Sequence, residues 1–140
     1  MIECKDIQKA VSGLLKKGGF IVIARESIEG GVRPACSIDV FPSSASRIAH
    51  YIEEDTFSVE IVYYPKLETQ EHLTDTASEL KSLFLYNLLE IEDRKVQTYN
   101  VSFSKDGVCL VVECDYTIEQ AIENVDEEYE DMSELNMEFE

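Results

Sequence analysis

Glu53, Glu54 and Asp55 form a tight acidic group, and in a strand, where side chains alternate, Glu53 and Asp55 fall on one face. Two carboxylates so placed can share a proton or a cation. A solvated, projecting hairpin accounts for them more simply. The other candidate groups are scattered. Cys4, Cys36, Cys109 and Cys114 contain no C-x-x-C pair, and His50 and His72 stand apart from them, so a metal site would need distant segments to converge. The cysteines read as reduced, small hydrophobes in or near the core, and the histidines as exposed polar residues. Gly30-Gly31 is the nearest approach to a glycine-rich phosphate loop, but Glu29 beside it would repel phosphate, which leaves a turn. No G-x-S-x-G elbow, P-loop or H-E-x-x-H pair occurs, and Asp126-Glu127-Glu128 lacks the glycine and ligand spacing of a calcium loop. No catalytic, cofactor-binding or metal-ligating residue is expected, and no enzyme.

The elements that would position these groups follow from periodicity. Ile7, Ala10, Val11, Leu14 and Leu15 recur at helical steps and predict an amphipathic helix over about 4–17, stopped by Gly18-Gly19. Phe20 to Ala24 reads as a buried strand, and Ala35 to Phe41 as a second, ended by Pro42-Ser43-Ser44. From about Ala49 to Tyr64 the alternation is sustained, with Phe57, Val59, Ile61 and Tyr63 facing one way. A strand this long projects beyond its sheet as half of a hairpin, and the polar Arg47–Asp55 stretch is the projecting part. After Pro65, Thr69 or Glu68 caps a second helix reaching about Asn87, with Leu73, Ala77, Leu80, Leu83, Phe84 and Leu88 as its core stripe. Leu89-Glu90-Ile91 is a short strand or turn. Val96 to Ser104 alternates, with Tyr99, Val101 and Phe103 on one face, and the Asp106-Gly107 turn returns the chain into a strand from Val108 to Tyr116. The expected fold is α+β: an antiparallel (mixed) β-sheet covered on one face by two helices, with a projecting β-hairpin and an acidic C-terminal helix.

Charge divides the 140 residues unevenly. The net value is −17, yet residues 119–140 hold ten of the 29 acidic residues and none of the twelve basic ones. Residues 1–118 are expected to be the α+β domain and 119–140 an acidic amphipathic extension. In that extension Ile118, Ile122, Val125, Tyr129 and Met132 form a heptad-like stripe, after which Leu135, Met137 and Phe139 alternate. This pattern suits docking on the chain's own body or on a neighbouring subunit. So acidic a chain is a poor ligand for nucleic acid or for an anionic membrane, and no apolar run is long enough to cross a bilayer. The charged opening Met1-Ile2-Glu3-Cys4-Lys5-Asp6 leads into no apolar leader, which predicts a soluble protein of a reducing cytoplasm.

The order of certain strings is informative. Gly31-Val32-Arg33-Pro34 is followed by Cys36-Ser37-Ile38-Asp39-Val40, then by a long strand ending Phe57-Ser58-Val59-Glu60-Ile61-Val62-Tyr63-Tyr64-Pro65. A helix and a hairpin ending Glu113-Cys114-Asp115-Tyr116 come next, and Met132-Ser133-Glu134-Leu135 lies near the end. Over most of its length the chain resembles the tail terminator (tail-completion) proteins of Gram-positive phages, prophages and phage-tail-like bacteriocins, although the segment beyond Tyr116 is unusually acidic for them. The resemblance implies a structural virion protein that forms a ring, usually a hexamer, on the tail tube. The ring would stop tube polymerisation and offer the head-attachment surface. Implied partners are other copies of itself, the tail tube protein and a head–tail connector protein, with no membrane and no direct sequence-specific nucleic-acid binding. Assembly would take place in the host cytoplasm, ending at the head-proximal end of the virion tail.

Arg33, Arg47, Tyr51, Glu53, Asp55, Tyr64, Tyr129 and Met132 are the candidate subunit or tube interface. Arg33 suits an ion pair across an interface because its planar fork matches a carboxylate; a local loop salt bridge is the competing role. The alternative function is an acidic protein-interaction or inhibitor module acting on a basic partner.

Overall fold

The computed structural model describes residues 1–24 and 31–122. Helix α1 (Cys4–Lys17) begins with a capping box in which the Glu3 backbone N–H donates to Asp6 Oδ2 at 2.8 Å. Its stripe Ile7, Val11, Leu14 and Leu15 is buried as the spacing requires. Gly18 ends it and lets the second helix pack close: a Cβ there would lie 2.8 Å from Leu83 Cδ2, so Leu83 would have to shift.

The main sheet has the order β1-β2-β6-β5, built from β1 (Ala35–Ala49), β2 (Ile52–Tyr64), β5 (Val101–Asp106) and β6 (Cys109–Ala121), all antiparallel. A separate ribbon pairs β3 (Leu88–Ile91) with β4 (Arg94–Gln97). Helix α2 (Gln70–Leu85) and α1 cover one face of the main sheet. There Phe57, Val59, Ile61 and Tyr63 of β2 and Leu110, Val112, Cys114, Tyr116 and Ile118 of β6 are buried against Leu15, Leu80 and Phe84. The expected α+β architecture is the observed one. The expected acidic C-terminal helix, with Tyr129 and Met132, lies outside the described residues.

Five local expectations need correction. Phe20 to Ala24 is not a strand but a single parallel bridge, Val22 to Cys36, with Cys36 N–H donating to Ile21 O at 2.7 Å and Ile23 N–H to Cys36 O at 2.9 Å. In that register Pro34 stands opposite Phe20 and, having no N–H, cannot extend the ladder. Pro42 does not end β1. It sits on an edge strand, and the register shifts between Pro42 and Ser44, where the Ser43 hydroxyl donates to Thr56 O at 3.1 Å in place of a ladder bond.

Val96 to Ser104 is two strands rather than one. The chain turns inward at Thr98, which is buried and bonded through its hydroxyl to that of Tyr116 at 2.6 Å, and Tyr99 is left 77% exposed. The hairpin turn is Gly107-Val108, one residue later than expected, with Gly107 at φ 62° in the first central position of a type II′ arrangement. Leu88 belongs to β3 and is half exposed, because α2 stops at Leu85 and Asn87 Nδ2 donates back to Leu83 O at 3.0 Å.

Thr69 is the cap of α2, its hydroxyl accepting from His72 N–H at 3.2 Å. Thr69→Ala should cost about 1 kcal/mol in urea denaturation; a loss below about 0.3 kcal/mol would show that the cap contributes nothing.

Candidate assembly interface

Beyond Cys114, β5 has ended, and the sheet continues as a three-stranded arm of β1, β2 and β6. Strand β6 accompanies β2 to the tip, where Ile52 faces Ala121 and Ile122 N–H donates to Tyr51 O at 2.9 Å. The expected boundary at 118/119 therefore falls inside a strand.

Four predicted residues converge on this arm. Arg47 is the cross-strand partner of Glu53, and Tyr51 is 48% exposed at the tip. Glu53 and Asp55 lie on one face, as alternation requires. The carboxyl of Glu53 is raised above its ordinary pKa, first by its hydrogen bond to Asp55, then by burial and the Asp55 charge, against a smaller lowering by Arg47. Asp55 is further held by Gln120, whose Nε2 donates to Asp55 Oδ2 at 2.7 Å and to Ile2 O at 3.2 Å, while its Oε1 accepts from Ile2 N–H. Gln120 is the residue that sequence reasoning missed. Its charge-poor position was assigned to the acidic extension, although the alternation Tyr116, Ile118, Gln120 continues the buried face of β6.

The other two described candidates meet at the far end of β2. The Arg33 guanidinium lies 5.2 Å from the centroid of the Tyr64 ring and donates through Nη1 to Val32 O at 2.9 Å. This adds ring contact to the local-loop role for Arg33. Asp55 and Tyr64 are nine steps apart along the strand, so the two groups are about 30 Å apart. The structure thus makes two groups of these residues, not one; Tyr129 and Met132 lie outside the described residues.

A third surface was not foreseen. On the helix-free face, Asp39, Glu60 and Glu113 are successive cross-strand partners, a row of three carboxylates that repel one another. They line a 640 Å³ groove with the exposed rings of Phe41 and Tyr99. The row was hidden because its members come from three strands whose register the sequence does not print.

Candidate chemistry is thin elsewhere. His72 is half-buried rather than exposed, its Nε2 2.8 Å from the Tyr63 hydroxyl beside a 350 Å³ cavity that Asp75, Thr76 and Glu79 also line. Burial raises the Tyr63 pKa, with a hydrogen bond to Thr76 pulling the other way. Among the described residues no three His, Cys, Asp or Glu side chains gather as metal ligands, and no helix is long and apolar enough to cross a membrane.

The chain belongs to the phage tail terminator protein family, whose model matches residues 6–128. It is therefore a structural protein of the phage tail, from a family that works by contact with other tail and head components rather than by catalysis. No curated protein matches it. A solved structure is similar over 87% of this chain and 97% of its own, at 16% identity and a TM-score of 0.44.

Proposed function

We propose that this protein closes the tail tube as a ring, ends tube polymerisation and presents the surface to which the head attaches. The observation that carries this reading is the separation of the Arg47–Tyr51–Glu53–Asp55 group from the Arg33–Tyr64 group. A head-to-tail ring needs two different patches on every subunit, and these lie at opposite ends of one strand. The arm supplies a long edge strand, β1, whose residues 41–49 are all exposed and open to pairing or clasping. Six copies, a tube protein below and a connector protein above are the expected assembly, whether the particle is a phage or a phage-tail-like bacteriocin.

Light scattering after size exclusion, with negative-stain imaging of the chain alone and with tail tube protein, tests it. Rings are expected for the unaltered chain. Arg47→Glu, which sets two carboxylates opposite each other at the Arg47–Glu53 position, should weaken association about tenfold or more while costing the fold no more than about 1 kcal/mol. A monomer that ignores the tube protein at every concentration would sink the ring.

The Asp39–Glu60–Glu113 row favours a second reading, an acidic module acting on a basic partner. Its signature would be a monomer or dimer whose partner binding falls steeply with salt.

A further inference from the structure

The cavity between the end of α1 and the start of α2 has walls of one charge. It holds 350 Å³, and among the described residues its carboxylates, Asp75 and Glu79, are opposed by no Lys or Arg. The one basic group lining it, His72, is engaged with the Tyr63 hydroxyl at 2.8 Å. Lys16 and Lys17 belong to the last turn of α1, but both are exposed and neither lines the cavity. Asp75 and Glu79 stand four residues apart on α2, a like-charge spacing that weakens a helix. A cation held between them removes that cost.

The other walls suit the same guest. Helix α1 ends at the rim, where Gly18 and Gly19 line the cavity, so the negative end of its dipole lies there. The rings of Phe20 and Tyr63, edge-on to each other at 6.2 Å, form an aromatic wall, and such rings attract cations. Ile21, half exposed at the rim, offers apolar surface to a methylene stem. A guanidinium fits these walls better than an ammonium, because it stacks on rings and its fork reaches two carboxylates.

The arm carries a suitable cation. Between positions 41 and 55 the only Arg or Lys is Arg47, which is exposed and makes no ion pair among the described residues. As the partner of Glu53 it shares the sheet face of Asp55, Phe57 and Tyr63. Arg47 and the cavity therefore lie on one face of the sheet, at opposite ends of β2. In a head-to-tail ring the arm of each copy meets the far end of the next.

We propose that Arg47 of one copy enters the Asp75–Glu79 cavity of its neighbour, with the guanidinium between the two carboxylates and the stem on Ile21. Each cavity is then completed by another subunit. This inference rests on the head-to-tail ring and names the contact that sets its direction.

Charge exchange tests it, read by light scattering over a series of concentrations of the full chain, alone and with tail tube protein. Glu79→Arg should weaken association about tenfold or more, as Arg47→Glu does. The two changes in one chain restore opposite charges across the contact, and association should return to within about threefold of the unaltered chain. Glu79 is an exposed helix position, and Asp75→Asn/Glu79→Gln, which removes charge without reversing it, should reproduce the loss. Losses that add in the exchanged chain would give the cavity another occupant and overturn the pairing while the ring stands. So would association that neither cavity variant changes. A chain that stays monomeric with and without the tube protein would overturn both.

Discussion

Gln120→Leu lowers the stability of the domain by about 3 kcal/mol, as expected when one buried amide serves three partners. The side chain is 4% exposed, and Ile2, both of whose backbone groups it bonds, is 5% exposed. Leucine fills the volume but offers neither a donor nor an acceptor. The Ile2 N–H and C=O are then left buried without partners, at roughly 1–3 kcal/mol each. Asp55 also loses its 2.7 Å donor, but it is partly exposed and water replaces much of that bond, so its share is the smallest. Added apolar burial offsets part of the loss. Urea denaturation measures the total, and a loss under about 1 kcal/mol would show that water or backbone movement satisfies Ile2 without the amide. The variant also separates stability from assembly. Gln120 fastens the start of α1 to the arm that bears Glu53 and Asp55, so in Gln120→Leu the arm should become more sensitive to protease than the sheet around Val112.

Much of this was legible in the residues. Where one face of a strand is buried, period-two alternation is a strict signal, and Phe57, Val59, Ile61 and Tyr63 are all at most 5% exposed. The stripe of α1 gave its bounds for the same reason. What failed to show were features decided by partners distant in sequence. Pro42 is a strand breaker only where its missing N–H is needed, and on the edge of β1 it is not. Tyr99 belongs to an alternating run, but Thr98 is drawn inward by the Tyr116 hydroxyl, and that single bond breaks the run in two. Composition places Gln120 in an acidic tail, whereas the alternation of Tyr116, Ile118 and Gln120 carries β6 five residues beyond Tyr116. Of the candidate residues, the Arg47–Glu53 pairing could not be anticipated without the register of the hairpin, nor the stacking of Arg33 on Tyr64 without the turn that precedes β1.

The distribution of charge bears on how such a subunit avoids indiscriminate association. The open face of the sheet keeps Asp39, Glu60 and Glu113 in one row, although opposed like charges there cost a few tenths to about 1 kcal/mol. Two copies meeting through these faces would bring six carboxylates together, so the row discourages stacking of sheet on sheet and leaves the ends of β2 as the better contacts. Specificity obtained through such repulsion is a common device where one wrong geometry must be avoided.

Raising the pH should destabilise this protein, and two buried thiols should account for about half the steepness of that loss. Burial pushes the Cys36 thiol up to about 12 and the Cys114 thiol up to about 11, from an ordinary value of 9.0. Burial also raises the phenol of Tyr116, to which Cys114 donates at 3.7 Å. These groups stay protonated in the fold while the unfolded chain releases its protons from pH 9 upward, so the unfolded state binds fewer protons and stability falls as pH rises. The stability they support is fully present below the unfolded value and is lost as pH climbs through 11 and 12. Each thiol's share approaches about 1.4 kcal/mol per pH unit only well above pH 9, which makes the joint loss about 3.5 kcal/mol between roughly pH 8.5 and 10.5. The raised phenols of Tyr63 and Tyr116 add a background, and the decisive comparison is therefore with Cys36→Ala/Cys114→Ala. That variant starts less stable, because alanine leaves a small cavity at each site. Its stability should nevertheless decline about half as steeply over the same pH range, because both raised thiols are gone and the Tyr116 phenol loses the part of its upward push that comes from Cys114. Equal slopes for the two proteins, measured by urea denaturation at closely spaced pH values, would mean that the thiols gain access to water before the domain unfolds.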